Sequence, residues 1–141
     1  MEPLLKEKRH AVVFVPYRSV SGGHEFYLQK RDMNAPVHAG ILSLFGGGIE
    51  GREVLLETLR REVYEELAYE PVSPAYFCVF ETSRGIFHVF IEEVAAGFES
   101  RVTVQEGEYG VFLRLDAIAN SPDVSDLAQM VVRALSEYLD A

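Results

Sequence analysis

Glu62, Glu65 and Glu66 crowd into the stretch GGGIEGREVLLETLRREVYEELAYEP, Gly46 to Pro71, shortly after three consecutive glycines. Carboxylates gathered in this way can form a solvated acidic face, or they can supply the oxygen ligands that hard cations such as Mg²⁺ and Mn²⁺ prefer. Helical geometry tests whether they can act together. At about 100° per residue, with Glu62 at zero, Glu66 falls at about 40° and Glu65 at about −60°, so the three share one face. Leu56, Leu59, Val63 and Leu67 form the apolar stripe beside that face, which places the carboxylates at the edge of a packed core rather than opposite it. Glu53, Glu57 and Arg61 form a separate i, i+4, i+8 row, in which Arg61 can pair with Glu57 and reach back to Glu53. Glycines at the entry let backbone groups approach a ligand closely. On the residues alone, the wet acidic face and the metal site both stand.

Other chemistries fit less well. The glycines lack the lysine and spacing of a phosphate-binding P-loop, and no parallel βαβ unit frames them as a dinucleotide fingerprint. His10, His24, His38 and His88 show no zinc-ligand spacing, and His88, in an apolar strand, reads as structural. No serine stands in a nucleophile-elbow pattern. The lone cysteine, Cys78, has apolar neighbours and reads as a buried, inert thiol.

The elements that must position the glutamates are legible from periodicity. Residues 10–17 form a buried strand, and 25–31 a second strand joined to it as a hairpin. Residues 41–45 are a short strand running into the glycines. The helix spans 52–67, free of Pro and Gly, and Pro71 ends it. Strands at 75–82 and 85–94 follow, with a short one at 101–104 and another at 109–115. Asp123 caps a last helix over 124–139, with one apolar face. This order predicts an α/β fold, a mixed sheet with helices packed on it.

The chain's 141 residues suit one domain, 1–141. No apolar run approaches the roughly 20 residues a membrane-spanning helix needs, and the amino terminus lacks the apolar core of a leader peptide. A cytoplasmic protein with no membrane partner is expected. The net charge of −9 argues against binding a nucleic-acid polymer, while divalent cations can bridge an acidic site to the phosphates of a small nucleotide.

The glutamate stretch resembles the Nudix hydrolase box: G, five residues, E, seven residues, then R-E-U-x-E-E-x-G-U, where U is bulky and apolar. Gly47, Glu53, Arg61, Glu62, Val63, Glu65 and Glu66 all match in type and spacing. The departures are Ala68, where the box has glycine, and Tyr69 in the last apolar place. Ala68 either takes a left-handed conformation at a cost of roughly 1 kcal/mol or lets the helix run on toward Pro71. The element order also looks like the Nudix α/β/α sandwich.

The resemblance implies Mg²⁺-dependent hydrolysis, with Mn²⁺ as a substitute, of a phosphoanhydride in a nucleoside diphosphate derivative, by water attack at phosphorus. It implies Glu62, Glu65, Glu66 and the Gly46 carbonyl as metal ligands, with Arg61 and Glu53 bracing helix and loop. Glu62 and Glu65 then belong to the catalytic set, as does Glu106, the favoured general base from the QEGEY loop; Glu108 shares that loop. Gly47, Gly48 and Arg31 are the substrate-binding candidates. The family commonly forms homodimers. Subgroup signatures are missing: there is no Trp, no Pro follows in the SRGIF region, Phe87 stands where a Tyr is usual, and only Arg31 and a few glycines match the coenzyme A pattern. A nucleoside triphosphate or a sugar nucleotide is the expected substrate class. The competing reading is a non-catalytic Nudix-fold nucleotide-binding or sensor module.

Overall fold

The computed structural model describes residues 8–36 and 39–141. The amino-terminal stretch 1–7 and His38 lie outside them. The elements run β1 (His10–Val20), β2 (Gly23–Lys30), β3 (Leu42–Ser43), β4 (Phe45–Gly48), α1 (Leu55–Leu67), β5 (Ala75–Thr82), β6 (Gly85–Glu93), α2 (Phe98–Arg101), β7 (Tyr109–Arg114), α3 (Leu115–Ile118) and α4 (Asp126–Asp140). Among the described residues, no helix is long and apolar enough to cross a membrane.

Among the described residues, one seven-stranded mixed sheet holds β1 to β7. β1 pairs antiparallel with β2 only near their hairpin, from Tyr17 to Val20, and antiparallel with β4 from Ala11 to Phe14. On its other edge β1 runs parallel to β6. β2 likewise takes β3 at Gln29 and Lys30, and β7 along its other edge. The hairpin thus splays open, and β3 and β4 fill the gap.

Alternation along β1 divides the core. Val13 and Val15 face α4, where Ala128, Val131, Val132 and Leu135 are buried. Val12 and Phe14 face α1, against Phe45, Leu59, Val63, Leu67 and Phe90. This confirms the expected α/β architecture, a sheet between two helical layers.

Several local expectations change. The strand expected at 41–45 is two strands, and the glycines belong to the second rather than to a turn: Gly46, Gly47 and Gly48 pair with Val13, Val12 and Ala11. At Gly46, where φ is +145°, a Cβ would sit 2.0 Å from the Val12 carbonyl oxygen, so only glycine lets β1 approach this closely. α1 begins at Leu55 rather than residue 52. Leu56, placed in the apolar stripe, is 42% exposed, and Thr58 is buried instead. The strand expected at 101–104 is absent: Arg101 ends α2, and the chain after it turns to the end of α1, where Thr103 N donates to Leu67 O and Gln105 N to Glu66 O. The cap of α4 is Ser125, not Asp123, its Oγ accepting from Ala128 N at 3.2 Å.

Ala68 resolves its own alternative. It takes the left-handed conformation (φ 50°, ψ 39°) as the residue closing α1, and its N–H donates to Tyr64 O at 2.8 Å.

Candidate active site

The turn before α1 and the helix itself are locked by one guanidinium. Arg61 donates from Nε to Glu53 Oε2 at 2.8 Å and from Nη2 to Glu53 Oε1 at 3.0 Å. Nη2 also donates to Gly48 O at 3.0 Å, and Nη1 to Glu62 Oε1 at 2.8 Å. Glu65 Oε2 lies 3.5 Å from Nη1. Glu53 further accepts from Glu50 N and from the Thr58 hydroxyl. With so many donors, Arg61 first, its carboxyl is held down at about 2. The expected Glu53–Arg61 brace is present. Glu57, expected to share Arg61, accepts from Val54 N instead, because the helix starts at Leu55 and leaves that first-turn N–H in need of an acceptor.

The acidic face lies across β4. Glu66 is 4% exposed and its Oε1 accepts from Gly46 N at 2.9 Å. Burial, opposed by that hydrogen bond and reinforced by the charges of Glu62 and Glu106, pushes its pKa up to about 8. Glu62, with a side chain 15% exposed, is also pushed up, mainly by burial, against the pull of Arg61. Glu62 packs on Gly47 so closely that a Cβ there would lie 2.3 Å from its carboxyl carbon. Glu65 is the outer member, with a side chain 51% exposed.

The loop bearing Glu106 is fastened to both neighbouring elements. Besides the Thr103 and Gln105 bonds to the end of α1, Glu108 N donates to Lys30 O at 2.8 Å and Gln29 Nε2 to Glu106 O at 2.6 Å. Glu106 is thereby held within electrostatic reach of Glu62 and Glu66. Arg31, one residue past β2, acts on Glu66 with the opposite sign. It lines a cavity of about 430 Å³ together with Gly46 and Gly47. Gly48 gives its carbonyl to Arg61.

Glu62, Glu66, Glu106, Arg31, Gly46 and Gly47 are therefore brought to one region, and Glu53 and Arg61 support it. In this arrangement no three acidic, imidazole or thiol groups among the described residues form a metal-holding cluster. Arg61 engages Glu62 and Glu65, and the Gly46 N–H engages Glu66. The donor set nonetheless suits a hard divalent cation: it is all oxygen, it is anionic, and its innermost member is a buried carboxylate whose ionisation calls for added positive charge.

Two side chains escaped sequence reasoning. Gln29 and Ser43 are cross-strand partners, buried at 1% and 8% exposure; their positions in ordinary strand sequence carry no signal without the β2–β3 register. His10 and His88 stand together elsewhere. His88 bonds Tyr76 OH at 3.0 Å and His10 at 2.9 Å, and burial together with His10 lowers its pKa. Cys78 is half-buried, with its thiol pushed up by burial.

A family model described as NUDIX domain matches residues 8–133. No curated protein matches significantly. Among solved structures, the NUDIX domain of Shewanella oneidensis NrtR complexed with ADP ribose is similar at TM-score 0.75 and 19% identity, covering 96% of this chain and 90% of that one. A MutT protein from Methanosarcina mazei Go1 is similar at TM-score 0.71 and 22% identity, over 99% of this chain and 100% of that one. A MutT NUDIX hydrolase from Burkholderia pseudomallei is similar at TM-score 0.70 and 20% identity, over 91% and 98%. At these identities the likeness concerns the fold.

Proposed function

The chain belongs to the Nudix family, and from that premise we propose that it is a hydrolase, one domain over residues 1–141, that cleaves a phosphoanhydride bond in a nucleoside diphosphate derivative. The observation that carries this reading is the convergence of Glu62, Glu66 and Glu106 beside the β4 glycines. Solved relatives described as a hydrolase and as an ADP-ribose complex support it.

Glu62, Glu65 and Glu66, with the Gly46 carbonyl, would hold the divalent cation, Mg²⁺ or Mn²⁺. When bound, it offsets the diphosphate charge and acidifies a water. The protein's own groups do the rest. Glu106, held by its carbonyl to Gln29, accepts a proton from the attacking water as general base. Arg31 supplies positive charge to the diphosphate, and Gly47 lines the same cavity, its missing Cβ leaving room for the Glu62 carboxylate beside β4. Arg61 and Glu53 act through position, fixing Glu62 relative to the β4 strand.

Water attack at phosphorus is tested by turnover of a nucleotide panel in ¹⁸O-labelled water with Mg²⁺. Label in the phosphate of a nucleoside monophosphate or of its co-product is the expected result. Binding of nucleotides with no turnover under any metal would replace the enzyme by a binding or sensor module.

A further inference from the structure

The loop that carries Glu106 is tied down on two sides. Toward α1, Thr103 N donates to Leu67 O at 2.8 Å and Gln105 N to Glu66 O at 2.7 Å. Toward β2, Gln29 Nε2 donates to Glu106 O at 2.6 Å, and Glu108 N to Lys30 O at 2.8 Å. Between those two bonds Gly107 takes a φ of +86°, and a Cβ there would lie 2.6 Å from Lys30 O and 3.1 Å from the Gln29 side chain. Only glycine lets the loop close on β2 at this point. Glu66 serves both sides of the site. Its carboxylate accepts from Gly46 N, and its carbonyl accepts from Gln105 N, the neighbour of Glu106.

Gln29 is the member of this arrangement that packing does not explain. It is 1% exposed, where an apolar side chain of similar length would leave no polar atom to satisfy. Its nitrogen must be the atom facing Glu106 O, because a carbonyl can only accept. The amide oxygen is thereby turned into a buried setting without a hydrogen-bond partner among the described residues, which destabilises the fold. Glu106 lies on an exposed loop, so hydration can serve its carbonyl in place of Gln29. The Gln29 bond therefore adds little to stability, and what it secures is the place of Glu106.

We propose that Gln29 is a positioning residue, which fixes through the Glu106 carbonyl where the Glu106 carboxylate stands relative to Glu62 and Glu66. A general base acts only within hydrogen-bond reach of the proton it takes, and a loop free to drift from β2 would lose that reach. This inference rests on the hydrolase reading, with Glu106 as its base, and adds to it a residue that acts from inside the sheet.

A double-mutant cycle tests it, with steady-state kinetics in Mg²⁺ on whichever member of a panel of nucleoside triphosphates, sugar nucleotides, ADP-ribose and dinucleoside polyphosphates the wild type cleaves fastest. Gln29→Met removes the donor and keeps the length of the side chain. It is expected to lower kcat at least about tenfold, the scale of a small misplacement of a reacting group, with KM unchanged and the urea midpoint unchanged or raised. In the Glu106→Gln background the same substitution is expected to lower kcat no further, because the group it positions is already gone. A Gln29→Met protein that fails to fold or unfolds at lower urea, a kcat it leaves unchanged, or losses that multiply in the double variant would overturn the positioning role and leave the hydrolase standing. So would a Glu106→Gln enzyme as active as wild type. No turnover of any member of the panel would overturn the hydrolase reading, and this inference with it.

Discussion

Arg61 grips Glu53 through two parallel hydrogen bonds, at 2.8 and 3.0 Å, although Glu53 lies ahead of α1 and Arg61 sits in its middle. The same guanidinium reaches Gly48 O and Glu62. One side chain therefore ties strand, turn and acidic face together, and a bidentate fork is what makes this possible.

That relationship predicts an acid-sensitive brace. Glu53 is held at about 2, below its ordinary 4.5. A carboxylate with a depressed folded pKa contributes stability that is present above the unfolded value and is lost as pH falls through the folded one. Denaturant midpoints of wild type and Glu53→Gln should differ clearly at pH 7 and converge as the pH drops from 4.5 toward 2. A gap that stays constant across that window would show that the ion pair is not its source.

Adjacent glycines should fail differently. Gly46→Ala places a Cβ against the backbone of Val12 at a positive φ, so the fold itself should lose on the order of 2 kcal/mol or more in urea titration. At Gly47 the clash is with the Glu62 carboxylate, which can swing away. Gly47→Ala should therefore stay folded and lose at least tenfold in kcat/KM. Equal stability losses for the two variants would contradict this division.

Ala68 offers a gain. A non-glycine residue in the left-handed region is strained by roughly 1 kcal/mol, partly offset because glycine is more flexible when unfolded. Ala68→Gly should raise unfolding stability by about 0.5 kcal/mol without moving activity, since the residue lies past the acidic face. A loss of stability in chemical denaturation would mean that the strain is absent.

How far the sequence foretold all this depends on the range of the interaction. The acidic face and the Glu53–Arg61 pair are local or one-helix relationships, and spacing exposes them; the left-handed Ala68 was one of two alternatives offered by the departure from the Nudix box. The pairing of Gly46–Gly48 in β4 was hidden because glycine disfavours strands, and the close approach of β1 that requires it is a tertiary fact. Val102 and Val104 look like strand residues, yet backbone N–H groups of their segment are spent on the end of α1. Gln29 and Ser43 become conspicuous only when register and burial reveal oxygens without partners.

The most direct measurement compares wild type with Glu65→Gln and Glu66→Gln for phosphoanhydride hydrolysis across a broad nucleotide panel in millimolar Mg²⁺, with circular dichroism confirming the fold of each. Losses of at least 100-fold in kcat for both variants are predicted, since loss of a metal-holding carboxylate costs on that order. Wild type and variants turning over the panel alike would contradict the assignment of this acidic face as the catalytic centre.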